Sequence, residues 1–203
     1  MKKHLKLTAL AAATVLALGA CSSGQDNGSS QQAPAPAVAP AVSPVLSAKT
    51  VAEAGLNQPL TPAQINVVLT QEGNPVITPD GKNIAVTVGL SNHGQVALIS
   101  KGKYPVHFGA QRLGANGKAD MDLSRAMIPL IDPGSSAQVT IMLPVDKMLN
   151  HSAELLPVQE QVAWFDAWGT KPVVVGPFSE CTGSMAGKIC GPDGKPLATQ
   201  PAK

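Results

Sequence analysis

The chain has 203 residues, of which 15 are basic and 13 acidic, so its formal charge at pH 7 is +2. Three lysines lie in the first twenty residues, which leaves 12 basic and 13 acidic residues, a formal charge of −1, in the remainder. Nucleic-acid binding needs a clustered basic face. Because Arg112 and Arg125 are the only arginines, the composition excludes that function. Eighteen prolines, nineteen glycines and few charges favour one domain of short strands with flexible tails.

The N-terminal segment has the pattern of a secretory signal peptide. Three lysines precede an apolar run from Leu7 to Leu18, and small residues follow it. This run is shorter than the ~20 residues of a membrane-spanning helix, and the pattern predicts a cleaved signal over residues 1–20. The motif LGAC, which ends at Cys21, also resembles the bacterial lipobox, in which the cysteine is lipidated and becomes the new N-terminus.

The lipobox resemblance implies a membrane anchor at Cys21. Several acyl chains, at ~0.8 kcal/mol per buried methylene, hold a protein durably at a membrane. The next residue is Ser22 rather than an aspartate, which resembles lipoproteins passed on to the outer membrane, so the implied location is its periplasmic face or the cell surface. The alternative is an ordinary signal cleaved nearby, which leaves a free cysteine.

Residues 21–47 are predicted to form a disordered linker. The polar run SSGQDNGSSQQ precedes APAPAVAPAVSPV, and an extended proline-rich stretch of that length spans roughly 40 Å. Residues 48–63 are predicted to be a short helical or turn lead-in. Thr50 and Glu53 fit a capping box, and Thr61 stands before a proline at a first helical position. An ordinary turn fits either pattern equally well.

From Ile65 onward, apolar residues alternate with a period of two, which is typical of half-buried strands. The clearest run is Ile84–Leu90, and similar runs lie at 104–108, 139–143 and 156–164. Turn signals separate these runs, and no long amphipathic helix lies between them. About seven short strands therefore predict an all-β fold, an antiparallel β-sandwich over residues 64–180.

Four segments of the predicted sandwich also resemble a known family. In chain order they are VGLSNHG, KGKYPVHFGAQRLGANGK, IPLIDPGSSAQVTIMLPV and VAWFDAWG. Their order over residues 83–175 resembles the immunoglobulin-like sandwich domains found beside glycosyltransferases, methyltransferases and polysaccharide transporters of bacterial surface-glycan pathways. The chain departs from that family at 149–154, where the family often has Gly-x-Tyr. The resemblance implies an immunoglobulin-like fold and a glycan-related setting, and no enzyme activity.

Residues 181–203 are predicted to contain a disulfide loop and a flexible C-terminal tail. With Cys21 assigned to the anchor, Cys181 and Cys190 remain in a compartment where disulfides persist. Closing a loop of about ten residues constrains the unfolded chain by ~2.5–3 kcal/mol. A zinc site would need two further ligands, and none lies nearby in the sequence.

No motif for catalysis or metal binding is recognisable. The histidines His93, His107 and His151 are scattered without metal-ligand spacing. The acidic pair Asp120 and Asp122 lacks the glycine and distal glutamate of a calcium loop. The sequence therefore predicts a protein that is not an enzyme and has no catalytic residues, no metal and no cofactor.

Three of the six aromatic residues, Trp164, Phe165 and Trp168, lie within five positions. One interpretation buries Trp164 and leaves Phe165 and Trp168 on a surface, where they would join Tyr104 in stacking on sugar rings or on a partner protein. The other has all three seal the end of the sandwich, and it is favoured because few other large core residues are available.

Two functions fit these features. The first is a lipid-anchored binding or accessory module that recognises envelope glycan. The alternative is a structural lipoprotein that docks on another envelope protein through an edge strand. A periplasmic hydrolase is a distant third.

Overall fold

The computed structural model of the protein describes residues 47–201. The predicted signal peptide, Cys21 and the predicted linker up to residue 46 lie outside the described residues. The described chain contains eleven strands: β1 Val67–Ile77, β2 Asn83–Asn92, β3 Val106–Leu113, β4 Ala119–Met127, β5 Ser136–Pro144, β6 Ser152–Gln159, β7 Ala163–Trp164, β8 Val173–Val175, β9 Ser179–Glu180, β10 Ile189–Cys190 and β11 Ala198–Thr199.

Helices are short and peripheral. The α-helices are α1 Ala48–Ala54 and α2 Val145–Met148, and single 3-10 turns span Pro62–Gln64, Phe165–Trp168 and Gly183–Met185. Between residues 47 and 201, no helix has the length and hydropathy needed to cross a membrane.

Two sheets enclose the hydrophobic core. The first has the strand order β11-β1-β2-β5, and the second has the order β4-β3-β6, with β7 and β8 both pairing with the far side of β6. Alternate residues of β2 and β5 point inward, among them the buried Val88 and Ile141, and they face Phe108 and Leu155 of the second sheet. Apart from the β1–β11 pair, these sheets are antiparallel. The prediction of an all-β sandwich is confirmed.

The lead-in segment packs as part of the domain. Val51, Leu56 and Leu60 are buried in the core. The predicted cap at Thr61 is present, since the Thr61 N–H donates to Gln64 Oε1 at 2.9 Å. The predicted cap at Thr50 is wrong because helix α1 begins two residues earlier, at Ala48, after Ser47.

A buried glutamine fastens this lead-in to the sandwich. Gln159, at the end of β6, has no exposed surface. Its Oε1 accepts the Leu60 N–H at 2.8 Å, while its Nε2 donates to the carbonyl oxygens of Tyr104 at 3.0 Å and Gln58 at 3.3 Å. One amide therefore satisfies backbone groups from two segments that are far apart in sequence.

The C-terminal segment is also docked on the domain. Cys181 and Cys190 form the predicted disulfide, which closes the small hairpin of β9 and β10. Beyond it, β11 pairs in parallel with Val76 and Ile77 of β1. Leu197 packs against the core, and this apolar contact together with the strand pairing explains why residues up to 201 are not the predicted flexible tail.

Candidate functional site

Trp164 lies on the outer face of the second sheet. In β3, Phe108 and Ala110 are buried on the core side, so His107 and Gly109 point outward. Trp164 pairs with Val158 of β6, which in turn pairs with His107 of β3. The indole therefore shares the face of the outward residues rather than that of the core.

The indole crosses this face and rests on a glycine. A Cβ atom placed on Gly109 would lie 2.6 Å from Cη2 and Cζ3 of Trp164. Leu156 pairs with Gly109 across the strands, and both Leu156 and Val158 are buried although they point outward. Only a glycine in the middle of β3 leaves room for a ring in this position.

Arg125 of β4 covers one face of the indole. Its guanidinium carbon lies 4.3 Å from the centroid of the Trp164 ring, which is cation–π geometry. Its Nη2 donates to Asp122 Oδ2 at 2.9 Å, and its Nε donates to Glu160 Oε1 at 3.3 Å. The guanidinium is thus held in one orientation by a ring and two carboxylates.

Two further side chains complete the group. His107 Nδ1 lies 2.9 Å from the same Glu160 Oε1, and Gln111 Nε2 donates to Asp122 Oδ1 at 2.8 Å. We call the six residues the Trp–Arg cluster; its members are Trp164, Arg125, Asp122, Glu160, His107 and Gln111. The side chains of its ionisable members are between 24% and 56% exposed, so their outer edges are accessible to a ligand.

The remaining predicted aromatic residues are placed differently. Phe165 is fully buried, so the interpretation that leaves it on a surface is wrong. Trp164 ends β7 and points outward, and the chain enters the 3-10 turn at Phe165, whose ring lies in the core. Trp168 is half-buried, its ring centroid 5.0 Å from that of Phe165, and Tyr104 is half-buried just before β3, with the Lys103 ammonium 5.0 Å from its ring centroid.

No polar member of the Trp–Arg cluster is predicted from the sequence as a binding residue; His107 and Asp122 are weighed there only as metal ligands and dismissed. Asp122 and Arg125 belong to β4, His107 and Gln111 to β3, and Glu160 follows β6. The one sequence feature that could have indicated the cluster is the pattern His-x-Gly-x-Gln at residues 107–111 of β3. In this pattern a glycine stands between two larger side chains on the outward face of the strand. Pairing of strands distant in sequence brings these residues together.

Two carboxyl groups near the cluster have shifted pKa values. Arg112 donates to Asp120 with Nε at 2.9 Å and Nη2 at 3.1 Å, and this hydrogen bonding lowers the pKa of Asp120. Burial, and secondarily the charge of Asp166, raises the pKa of Glu154 on β6. No grouping of three or more potential metal ligands occurs among residues 47–201.

A separate cavity lies away from the cluster. It measures about 490 Å³ and is formed by β1, β8 and the C-terminal segment, with Gln71, Val174, Phe178, Asp193 and Lys195 among its walls. No member of the Trp–Arg cluster lines it. Two of its charged groups, Asp193 and Lys195, already face each other at 3.7 Å.

Comparisons with known proteins give little further information. No protein-family model matches the chain, and no curated protein matches it. Among solved structures, it is similar over 54% of its length to β-glucosidase 3B from Thermotoga neapolitana in complex with α-D-glucose, with 14% identity and a TM-score of 0.31, and it spans 15% of that chain. It is also similar over 55% of its length to the ApaA protein from Bordetella pertussis, with 15% identity, 87% of that chain covered and a TM-score of 0.28.

Proposed function

We propose that the protein is a non-enzymatic binding or accessory module of the bacterial cell envelope, anchored in the outer membrane by a lipidated Cys21. In this proposal the sandwich is immunoglobulin-like and binds neutral surface glycan through the Trp–Arg cluster. The signal-like N-terminus and the lipobox resemblance support the anchor. The resemblance of residues 83–175 to domains of surface-glycan pathways supports the ligand class.

The observation that carries the proposed glycan site is the fixed set of planar polar groups around Trp164. Arg125 bonds to Asp122 at 2.9 Å and to Glu160 at 3.3 Å. Because these side chains are already ordered, ligand binding would lose little conformational entropy at them. Carboxylate, guanidinium and amide groups together accept and donate hydrogen bonds as sugar hydroxyls require. The exposed part of the indole adds apolar contact area beside these polar groups.

The charge of the Trp–Arg cluster favours a neutral ligand. One guanidinium stands against the two carboxylates of Asp122 and Glu160, so the cluster has a formal charge of −1 when His107 is neutral. A polyanionic glycan would meet this acidic face without a free cation to pair with, because Arg125 is already bound to both carboxylates.

Titration with surface-polysaccharide fractions of the host, followed by tryptophan fluorescence and calorimetry, tests this function. Both tryptophans of the chain, Trp164 and Trp168, report on this region. We expect saturable binding that Arg125→Ala weakens at least tenfold. Arg112→Ala is the matched control, because it removes a neighbouring arginine outside the cluster, and it should leave affinity unchanged. Absence of binding by both methods would refute the glycan function.

A second candidate function is supported by a different feature. Strand β5 ends the first sheet, and within the described chain no strand pairs with its other side. An open strand edge accepts an extended segment of another protein by backbone hydrogen bonding. The protein would then be a structural lipoprotein that docks on a protein of the envelope.

A further inference from the structure

The edges of the two sheets are protected unequally. Proteins block edge pairing with charged side chains, bulges, short strands or covering segments. Strand β4 has charged residues at Asp120, Asp122 and Arg125 and two register shifts. Strands β7 and β8 have only two and three residues. Strand β1 has a register shift after Glu72 and is paired by β11 beyond it.

Strand β5 is long and regular between residues 136 and 143, although part of β4 from the second sheet lies close beside it. It contains no charged residue and pairs with β2 in one unbroken register over its nine residues. Its single proline, Pro144, is the last residue of the strand. Over the part of the chain that the structure describes, β5 is therefore the one long, regular and uncharged edge.

The register identifies which backbone groups this edge offers. The Asn92 N–H donates to the Ser135 oxygen at 2.9 Å, and hydrogen-bonded pairs recur at every second residue of an antiparallel ladder. Ala137, Val139, Ile141 and Leu143 therefore bond to β2. The outward N–H and C=O groups are those of the remaining strand residues, Ser136, Gln138, Thr140 and Met142.

We propose that β5 pairs antiparallel with β5 of a second copy of this chain, which joins two first sheets into one continuous sheet. This inference rests on the interaction role given above as the second candidate function, and it is independent of glycan binding. A two-fold axis places the outward row of β5 against itself. Because that row is uncharged, self-pairing incurs no like-charge repulsion, which would oppose the same pairing of β4.

The side chains of the row are compatible with this pairing. On the outer face, Thr140 already bonds to Thr87 at 2.9 Å and Ser136 to Ser91 at 2.8 Å, so hydroxyl pairs of this kind fit the sheet. With Thr140 at the two-fold axis, Thr140 faces Thr140 of the second copy and Gln138 faces Met142. Met142, which is 41% exposed, would gain apolar cover from the methylenes of that glutamine. A shared membrane surface would raise the local concentration of the two copies.

Cysteine crosslinking of the full-length protein in intact cells tests the pairing. In Thr140→Cys the new thiols of two copies lie directly opposite, or diagonally at about 7–8 Å, within reach of a short bis-maleimide. Thr87→Cys is the matched control, because it removes the same hydroxyl pair from the neighbouring strand. Three strand spacings, about 14 Å, would separate the two control thiols, too far for the reagent.

We expect a covalent species of twice the chain mass from Thr140→Cys and none from Thr87→Cys. Equal dimer yields from both variants, or no crosslinked species from Thr140→Cys, would overturn the pairing. A Thr140→Cys adduct with a different protein would also overturn it, while leaving the wider interaction role in place. Glycan binding is measured separately, so its failure is distinguishable from each of these results.

Discussion

Replacing Gln159 with alanine should weaken the attachment of the lead-in segment, residues 48–63, to the sandwich and so lower the stability of the domain. Gln159→Ala leaves three backbone groups without their partners: the Leu60 N–H and the carbonyl oxygens of Tyr104 and Gln58. The bond to the Leu60 N–H is buried, and leaving such a group unsatisfied costs about 1–3 kcal/mol. The bonds to the two carbonyl oxygens are only partly buried, so water replaces them in part. We expect the free energy of unfolding to fall by about 2–4 kcal/mol, a sizeable part of the 5–15 kcal/mol typical of a domain.

The isosteric variant Gln159→Glu separates hydrogen bonding from volume. Its second carboxylate oxygen would face the carbonyls of Tyr104 and Gln58, which both accept, so burial and repulsion raise the pKa of the new carboxyl in the folded state. The folded state then binds more protons than the unfolded state above about pH 4.3, the unfolded pKa. Stability should therefore fall as pH rises from 4 to 7.

Urea unfolding of protein lacking residues 1–46 measures both variants. Gln58→Ala is the control: its exposed side chain is removed while the carbonyl that Gln159 contacts is kept, and the change should stay within about 0.5 kcal/mol. A loss under about 1 kcal/mol for Gln159→Ala, or a pH-independent Gln159→Glu, would refute the role of these three hydrogen bonds.

Three further predictions concern other parts of the domain. Gly109→Ala should displace the Trp164 indole, lowering stability by about 1–3 kcal/mol and shifting tryptophan emission; unchanged emission would contradict the packing described. Replacing Cys181 and Cys190 together by alanine should cost about 2.7 kcal/mol by loop entropy, measured as a lower thermal midpoint, and a gain in stability would contradict it. Glu154→Gln should stabilise the protein at pH 7 but not at pH 3, because only the ionised carboxylate, whose pKa is raised, is penalised by burial; equal effects at both pH values in urea unfolding would argue against this.

Local periodicity was sufficient to locate β2, β3, β5 and β6, although about seven strands were predicted and eleven are present between residues 47 and 201. The alternation of Ile84, Val86 and Val88 places these side chains on one face of β2, and all three are buried. The disulfide was also predictable, because only Cys181 and Cys190 remained once Cys21 was assigned to the anchor. These features depend on neighbours in the chain or on counting residues, so the sequence contains them directly.

The face of each aromatic residue was decided by tertiary structure. The pattern of a strand shows that successive side chains point to opposite faces, but not which of them point to the core. At Trp164 this is set by its pairing with Val158 across a turn. The outward position of Trp164 required the space above Gly109, on a strand more than fifty residues earlier. Phe165, where the chain enters the 3-10 turn, lies in the core.

The sequence by itself determined the all-β class, because this class follows from composition and from a two-residue period. Only the tertiary structure assembled Arg125, Glu160 and His107 around one indole, placed Gln159 under the lead-in and left β5 at an open edge. Each of these depends on strand order and register, which arise from packing two sheets against each other and cannot be inferred from any single segment.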